Sequence, residues 1–101
     1  MVVRLWKGRA RPDSADAYQR HVVASVFPAL KQLPGFLGAR VLRRPLADRV
    51  EFLVMTEWES LDAIRGFAGD PIDRAVVEPA AQAVLSDFDD RVDHYEVAEH
   101  L

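Results

Sequence analysis

The stretch VEFLVMTEW, Val50 to Trp58, sets four apolar residues side by side: Phe52, Leu53, Val54 and Met55. Its length and its aromatic and β-branched content read as a strand. Successive side chains of a strand point to opposite faces of the sheet, so both faces must be dry at this point. A layer of helices covers only one of them. Burying each such side chain is worth ~1.5–3 kcal/mol, and leaving the second face wet would create an apolar patch of the kind that marks an interface. The chain has 101 residues, enough for one domain over residues 1–101 and no spare element to cover that face. A second copy of the chain is the economical cover, which predicts a homodimer packed through the helix-free side of the sheet.

The other elements read outward from this strand. VVRLWKGR, Val2 to Arg9, alternates, with Val3 and Leu5 on one face and Arg4 and Trp6 on the other. FLGARVLRR, Phe36 to Arg44, turns back through PLADR into the third strand as a hairpin. Between these strands, Asp13 or Ser14 can cap a helix. Its Tyr18, Val22, Val26, Ala29 or Leu30, and Leu33 recur as one apolar stripe. Pro28 removes an amide donor and crowds the preceding turn, so a kink or restart is expected there. Ser60 caps a second helix carrying Leu61, Ile64 and Phe67. Asp70-Pro71 and Glu78-Pro79 each pair a capping residue with a proline at the first helical position. They predict a helical turn and then a helix over PAAQAVLSDF, with Ala80 or Ala81, Val84, Leu85 and Phe88 inward. RVDHYEVA, Arg91 to Ala98, alternates again and is the last strand. The order β-α-β-β-α-β predicts an α+β, ferredoxin-like fold, a four-stranded antiparallel sheet with helices on one face. On the helix-free face, Leu42 and Trp6 are expected to join the third strand.

Several function classes fall away. Without cysteine there are no disulfides, no thiol catalysis and no thiolate metal site. A net charge of −3 argues against a nucleic-acid surface, which needs a dominant basic stripe. No apolar run approaches the ~18 residues of a membrane helix. MVVRLWKGRARPD has charges within its apolar run, unlike a signal peptide. No membrane partner and a cytoplasmic location are therefore expected. The carboxylates of DFDDRVD, Asp87, Asp89, Asp90 and Asp93, lack a calcium-type loop, so no metal is expected.

Four stretches, VRLWKG, LPGFLGARVLRR, EFLVMTEWESLDAIRGFAG and VDHYEV, together resemble the antibiotic biosynthesis monooxygenase (ABM) domain family. The resemblance spans Val2 to Val97 and implies a single ABM-like domain forming a dimeric α+β barrel. It also implies chemistry. Some members are cofactor-independent oxygenases of aromatic polyketides, in which a base takes a proton from a phenol or anthrone and the carbanion passes an electron to dioxygen. Others degrade haem with an asparagine, a tryptophan and a haem-ligating histidine. This chain has no asparagine, Phe67 stands near the tryptophan position, and Val76 falls where the histidine would be. The haem-degrading set is absent, and the asparagine of the polyketide-oxidising members is missing too.

The resemblance thus implies a small monooxygenase without a cofactor, acting on an aromatic, polyketide-like molecule in a pocket between the first helix and the sheet. The alternative is a non-catalytic dimeric module that binds a small metabolite or a partner protein. His94, flanked by Asp93 and Tyr95, and His21, three residues after Tyr18, are the candidate bases, because an imidazole titrates near neutrality. Each could equally be a satisfied structural histidine. Trp6, Tyr18, Phe67 and Trp58 are candidate pocket walls, and for both tryptophans packing is the competing role. Arg4, Arg40, Arg43, Arg44 and Arg74 could hold an anionic group.

Overall fold

The third strand lies in the interior of the sheet, as its composition requires. The computed structural model describes residues 1–101. β1 (Val2–Ala10), β2 (Phe36–Pro45) and β3 (Val50–Trp58) pair antiparallel in the order β2-β3-β1. The free edge of β1 is taken by two short strands, β4 (Asp87–Phe88) against Gly8 and Arg9, and β5 (Asp93–Glu96) against Val2 to Leu5. The fourth strand position is therefore occupied in two pieces, with Asp89–Val92 bulging between them.

One layer of helix covers the sheet. α1 (Ala15–His21) runs into a π-helical turn, Val22–Val26, and on into α2 (Phe27–Leu30). Pro28 sits in the first turn of α2, and the helix runs on through it with no restart, the irregularity being the π-helical turn just before. α3 (Leu61–Ala68) is capped by Ser60, whose Oγ accepts from the Ala63 amide at 3.2 Å. Ser14 occupies the cap position of α1, but its side chain makes no capping bond. Gly35 enters β2 with φ of +79°, and a Cβ there would stand 2.5 Å from that of Ala63. Only glycine allows this turn to press so closely on α3.

Three further sequence expectations are corrected. The helix predicted over Pro79–Phe88 is only α4 (Pro79–Gln82). Ala81, Val84, Leu85 and Phe88 still turn inward, but sheet pairing at β1 takes Asp87 and Phe88 out of helical geometry. Asp70-Pro71 opens a non-helical turn through a cis peptide bond. Trp6 is opposite Val54 and lies on the helix side, because its pairing partner shares a face with Phe52, Thr56 and Trp58.

On that helix side Val50, Phe52, Thr56 and Trp58 are buried, whereas Val54 between them is only half-buried. The core is accordingly divided. One cluster gathers Tyr18, Val22, Phe52 and Ala81, and the other Leu30, Trp58 and Ile64. On the opposite side, Leu42 faces Leu53 and Leu5 faces Met55. Leu5, Leu53 and Met55 are half-buried and Leu42 is exposed, with no helix above them.

Candidate functional site

The gap between the two core clusters is a cavity of about 120 Å³ between helices and sheet. An engineered cavity of ~150 Å³ takes a benzene molecule, so the space suits a single aromatic ring. Its floor is Arg4 and Trp6 of β1 with Val54 and Thr56 of β3. Its roof is Tyr18, His21 and the first helix beyond them, and Phe67 and the Val76–Glu78 segment close its sides.

The roof owes its shape to the π-helical turn. The stripe Tyr18, Val22, Val26, Leu30 is spaced at strict fours. On a uniform α-helix each step of four drifts by about 40° around the axis. One wider turn absorbs part of that drift, so all four residues line the same cavity. Turns of this kind are frequent at functional sites.

Trp6 forms the floor through a neighbour that has no side chain. Its indole lies along the strand over Gly8, where a Cβ would come within 2.7 Å of the ring. Nε1 donates to the Asp89 carbonyl at 2.8 Å, so the bulge between β4 and β5 fixes the ring. Tyr18 stands 6.4 Å from Trp6 and 4.7 Å from Phe52 between centroids. Burial pushes its phenol well above the ordinary value.

His21 is the only imidazole in the lining. Its Nε2 is buried and has no hydrogen-bond partner. The nearest carboxylate oxygen, Oε2 of Glu78, is 3.8 Å away, beyond hydrogen-bond range.

Arg4 is buried, with only 5% of its surface exposed. Nη1 donates to the Ile72 carbonyl at 2.8 Å and Nη2 to the Arg74 carbonyl at 2.8 Å. Nη1 also meets Nε2 of His94 at 3.0 Å. None of the ion pairs in the chain includes Arg4. Burial brings its guanidinium down to about 10, with Asp73 opposing the shift. The Phe67 ring centroid lies 5.6 Å from its guanidinium carbon.

His94 sits opposite Arg4 in the β1–β5 pairing, behind the cavity and beside a surface groove with Met1, Ser60 and Leu61. A guanidinium only donates, so Nε2 accepts and the proton of the neutral ring is on Nδ1. Burial and then the charge of Arg4 push the imidazole below its ordinary value, against Asp73 and Asp93. The unfolded chain therefore takes up this proton before the native one does. The stability contributed by neutral His94 should be complete above about pH 6.5 and fade as pH drops through the lowered native value. The thermal midpoint of the wild type should fall more steeply below that pH than that of His94→Gln, whose amide oxygen still accepts from Arg4. Parallel pH profiles would count against this role.

Trp58 also stands behind the cavity. It is fully buried, stacks on Phe67 at 5.6 Å, meets Phe36 edge-on at 5.3 Å, and donates to Thr56 Oγ1 at 2.9 Å. The structure thus brings Trp6, Tyr18, His21 and Phe67 into one lining and sets Trp58 and His94 one layer out. Arg4, named from the sequence only as one of five arginines that could hold an anionic group, joins the lining, as do Thr56 and Glu78, which the sequence did not single out. For Arg4 and Thr56 the signal was parity, since they alternate in phase with Trp6 and Trp58.

The model of the antibiotic biosynthesis monooxygenase (ABM) family matches residues 1–79. The chain belongs to this family. Among solved structures, an ABM protein of Deinococcus radiodurans superposes with a TM-score of 0.68 at 23% identity, covering 100% of this chain and 96% of the other. The haem-degrader MhuD of Mycobacterium tuberculosis, solved with two haems in its active site, gives 0.64 at 25% identity, covering 100% and 99%. The N63A mutant of SnoaB, a cofactor-independent oxygenase from Streptomyces nogalater, gives 0.63 at 17%, covering 99% and 95%. No curated protein matches in sequence. The ABM match includes Arg4, Trp6, Tyr18, His21 and Phe67 and ends before the strand that carries His94. No helix is long and apolar enough to cross a membrane.

Proposed function

We propose that this ABM domain is a cofactor-independent monooxygenase whose substrate is a small aromatic molecule with an acidic C–H or O–H group. The observation that carries the reading is His21 in the lining of a cavity walled by Trp6, Tyr18 and Phe67, with its Nε2 buried and without a hydrogen-bond partner. His21, rather than His94, is the proposed base, because the accepting nitrogen of His94 is already occupied by Arg4. His21 removes the proton, and the resulting anion passes an electron to dioxygen. The C–O bond then forms, the peroxide takes back the proton held by His21, and loss of water from the resulting hydroperoxide turns a CH₂ group into C=O. One O₂ supplies the inserted oxygen atom and the oxygen of the water, so no external reductant enters. Trp6, Tyr18 and Phe67 hold the ring, and Trp58 holds Phe67.

SnoaB is named as an oxygenase of this type and MhuD as a haem degrader. The size of the cavity favours the first comparison, since about 120 Å³ holds one ring and not a porphyrin. The second reading, a binding module without catalysis, is favoured by the missing asparagine. Oxygen uptake with a panel of single-ring phenols and quinols, no cofactor added, tests the two. Uptake that depends on His21 supports the oxygenase. Uptake that survives His21→Ala removes the base assigned here.

The protein is proposed to act as a homodimer through Leu5, Leu42, Leu53 and Met55. These residues form an apolar stripe on the face opposite the helices, with Leu42 exposed and the other three half-buried. Sedimentation at low micromolar concentration should give twice the 11.4 kDa chain mass. Leu53→Asp should return it to the monomer, since a charge there would be buried unpaired. A wild-type monomer mass would overturn the assembly.

A further inference from the structure

The floor of the cavity contains a cation without a counter-ion. A buried ion costs several kcal/mol unless it is paired and hydrogen-bonded. Arg4 has five N–H donors, of which two carbonyls and His94 occupy three. Those three contacts hold the planar fork in one orientation, so it is organised before any ligand arrives. Asp73, the acidic group whose field reaches it, forms its salt bridge with Arg91 instead. Glu78 in the lining adds a negative charge near His21. A ligand with a second anionic group on that side would be repelled.

We propose that Arg4 is the subsite for one anionic oxygen of the ligand, so that the cavity takes a single-ring aromatic monoanion, its phenolate or carboxylate oxygen on the guanidinium and its ring between Trp6, Tyr18 and Phe67. The proposal rests on the cavity being the ligand site, as the oxygenase reading does, but not on any oxygen chemistry. His94 is a positioning residue, holding the guanidinium from behind.

Binding is followed by the fluorescence of the intact protein, with calorimetry as a check, using benzoate, 4-nitrophenolate above its pKa, and neutral benzamide. A hydrogen bond to a charged group implies that one or both anions bind about 10–100-fold more tightly than benzamide. Benzoate alone would identify a carboxylate subsite, and 4-nitrophenolate alone a phenolate subsite. Arg4→Met should abolish the preference while benzamide still binds, and should lower the thermal midpoint, because the Ile72 and Arg74 carbonyls and His94 Nε2 lose their donor. Equal binding of anions and benzamide by the wild type overturns the proposal without any variant. So does an anion preference that persists in Arg4→Met. Anion preference without oxygen uptake leaves the subsite standing and defeats the oxygenase. Uptake by a protein that shows no anion preference does the reverse.

Discussion

Replacing His21 with glutamine is expected to lower oxygen uptake by about 10²–10⁴-fold, the usual contribution of a positioned general base. Glutamine keeps a polar group of similar reach at the roof but cannot take a proton. The fold should be unaffected, because Nε2 makes no hydrogen bond that the substitution would break. A thermal midpoint within a few degrees of wild type, with benzamide affinity retained, would confine the loss to chemistry. Equal loss of activity and of ligand affinity would mean that His21 shapes the cavity and does no proton transfer. The Glu78 carboxylate, 3.8 Å away, gives a second handle, since Glu78→Gln removes the negative charge closest to the imidazole.

The second large effect concerns stability. Trp58→Ala should cost about 3–5 kcal/mol, in the range for deleting a large buried aromatic. For a domain of this size each kcal/mol lowers the midpoint by about 4–8 °C, so the loss should exceed ~12 °C. Trp58 is at the centre of the cluster with Leu30 and Ile64, and its removal frees two other rings, Phe36 and Phe67. It also leaves the Thr56 hydroxyl without its indole donor. Chemical denaturation of the purified variant measures this directly. A loss below about 1 kcal/mol, with ligand binding abolished, would return Trp58 to the role of pocket wall.

The strands were legible because two-residue alternation is strong in β1, and because the four-residue apolar run with its β-branched and aromatic content marked β3 as a strand dry on both faces. The hairpin followed from the turn between β2 and β3. Less visible was the split of the fourth strand. Ala81, Val84, Leu85 and Phe88 are spaced as on a helix face, and nothing local reveals that β1 will claim Phe88. The face of Trp6 was misassigned because parity says which residues share a side but not which side receives the helices. The cavity was hidden for a related reason. Val54 looks like its neighbours in sequence and differs only in what stands opposite it. Arg4 could be grouped with Trp6 by counting, but its burial and its lack of a carboxylate partner are properties of the assembled fold.

Gly8 carries a consequence for how this pocket can change. The breadth of the floor depends on the hydrogen that glycine presents beneath the indole of Trp6. A single methyl at residue 8 would tilt that ring and remodel the chamber as surely as exchanging the tryptophan itself. Ligand range among related chains should therefore track the residue two places beyond the aromatic, a position that contributes no side chain to the lining at all.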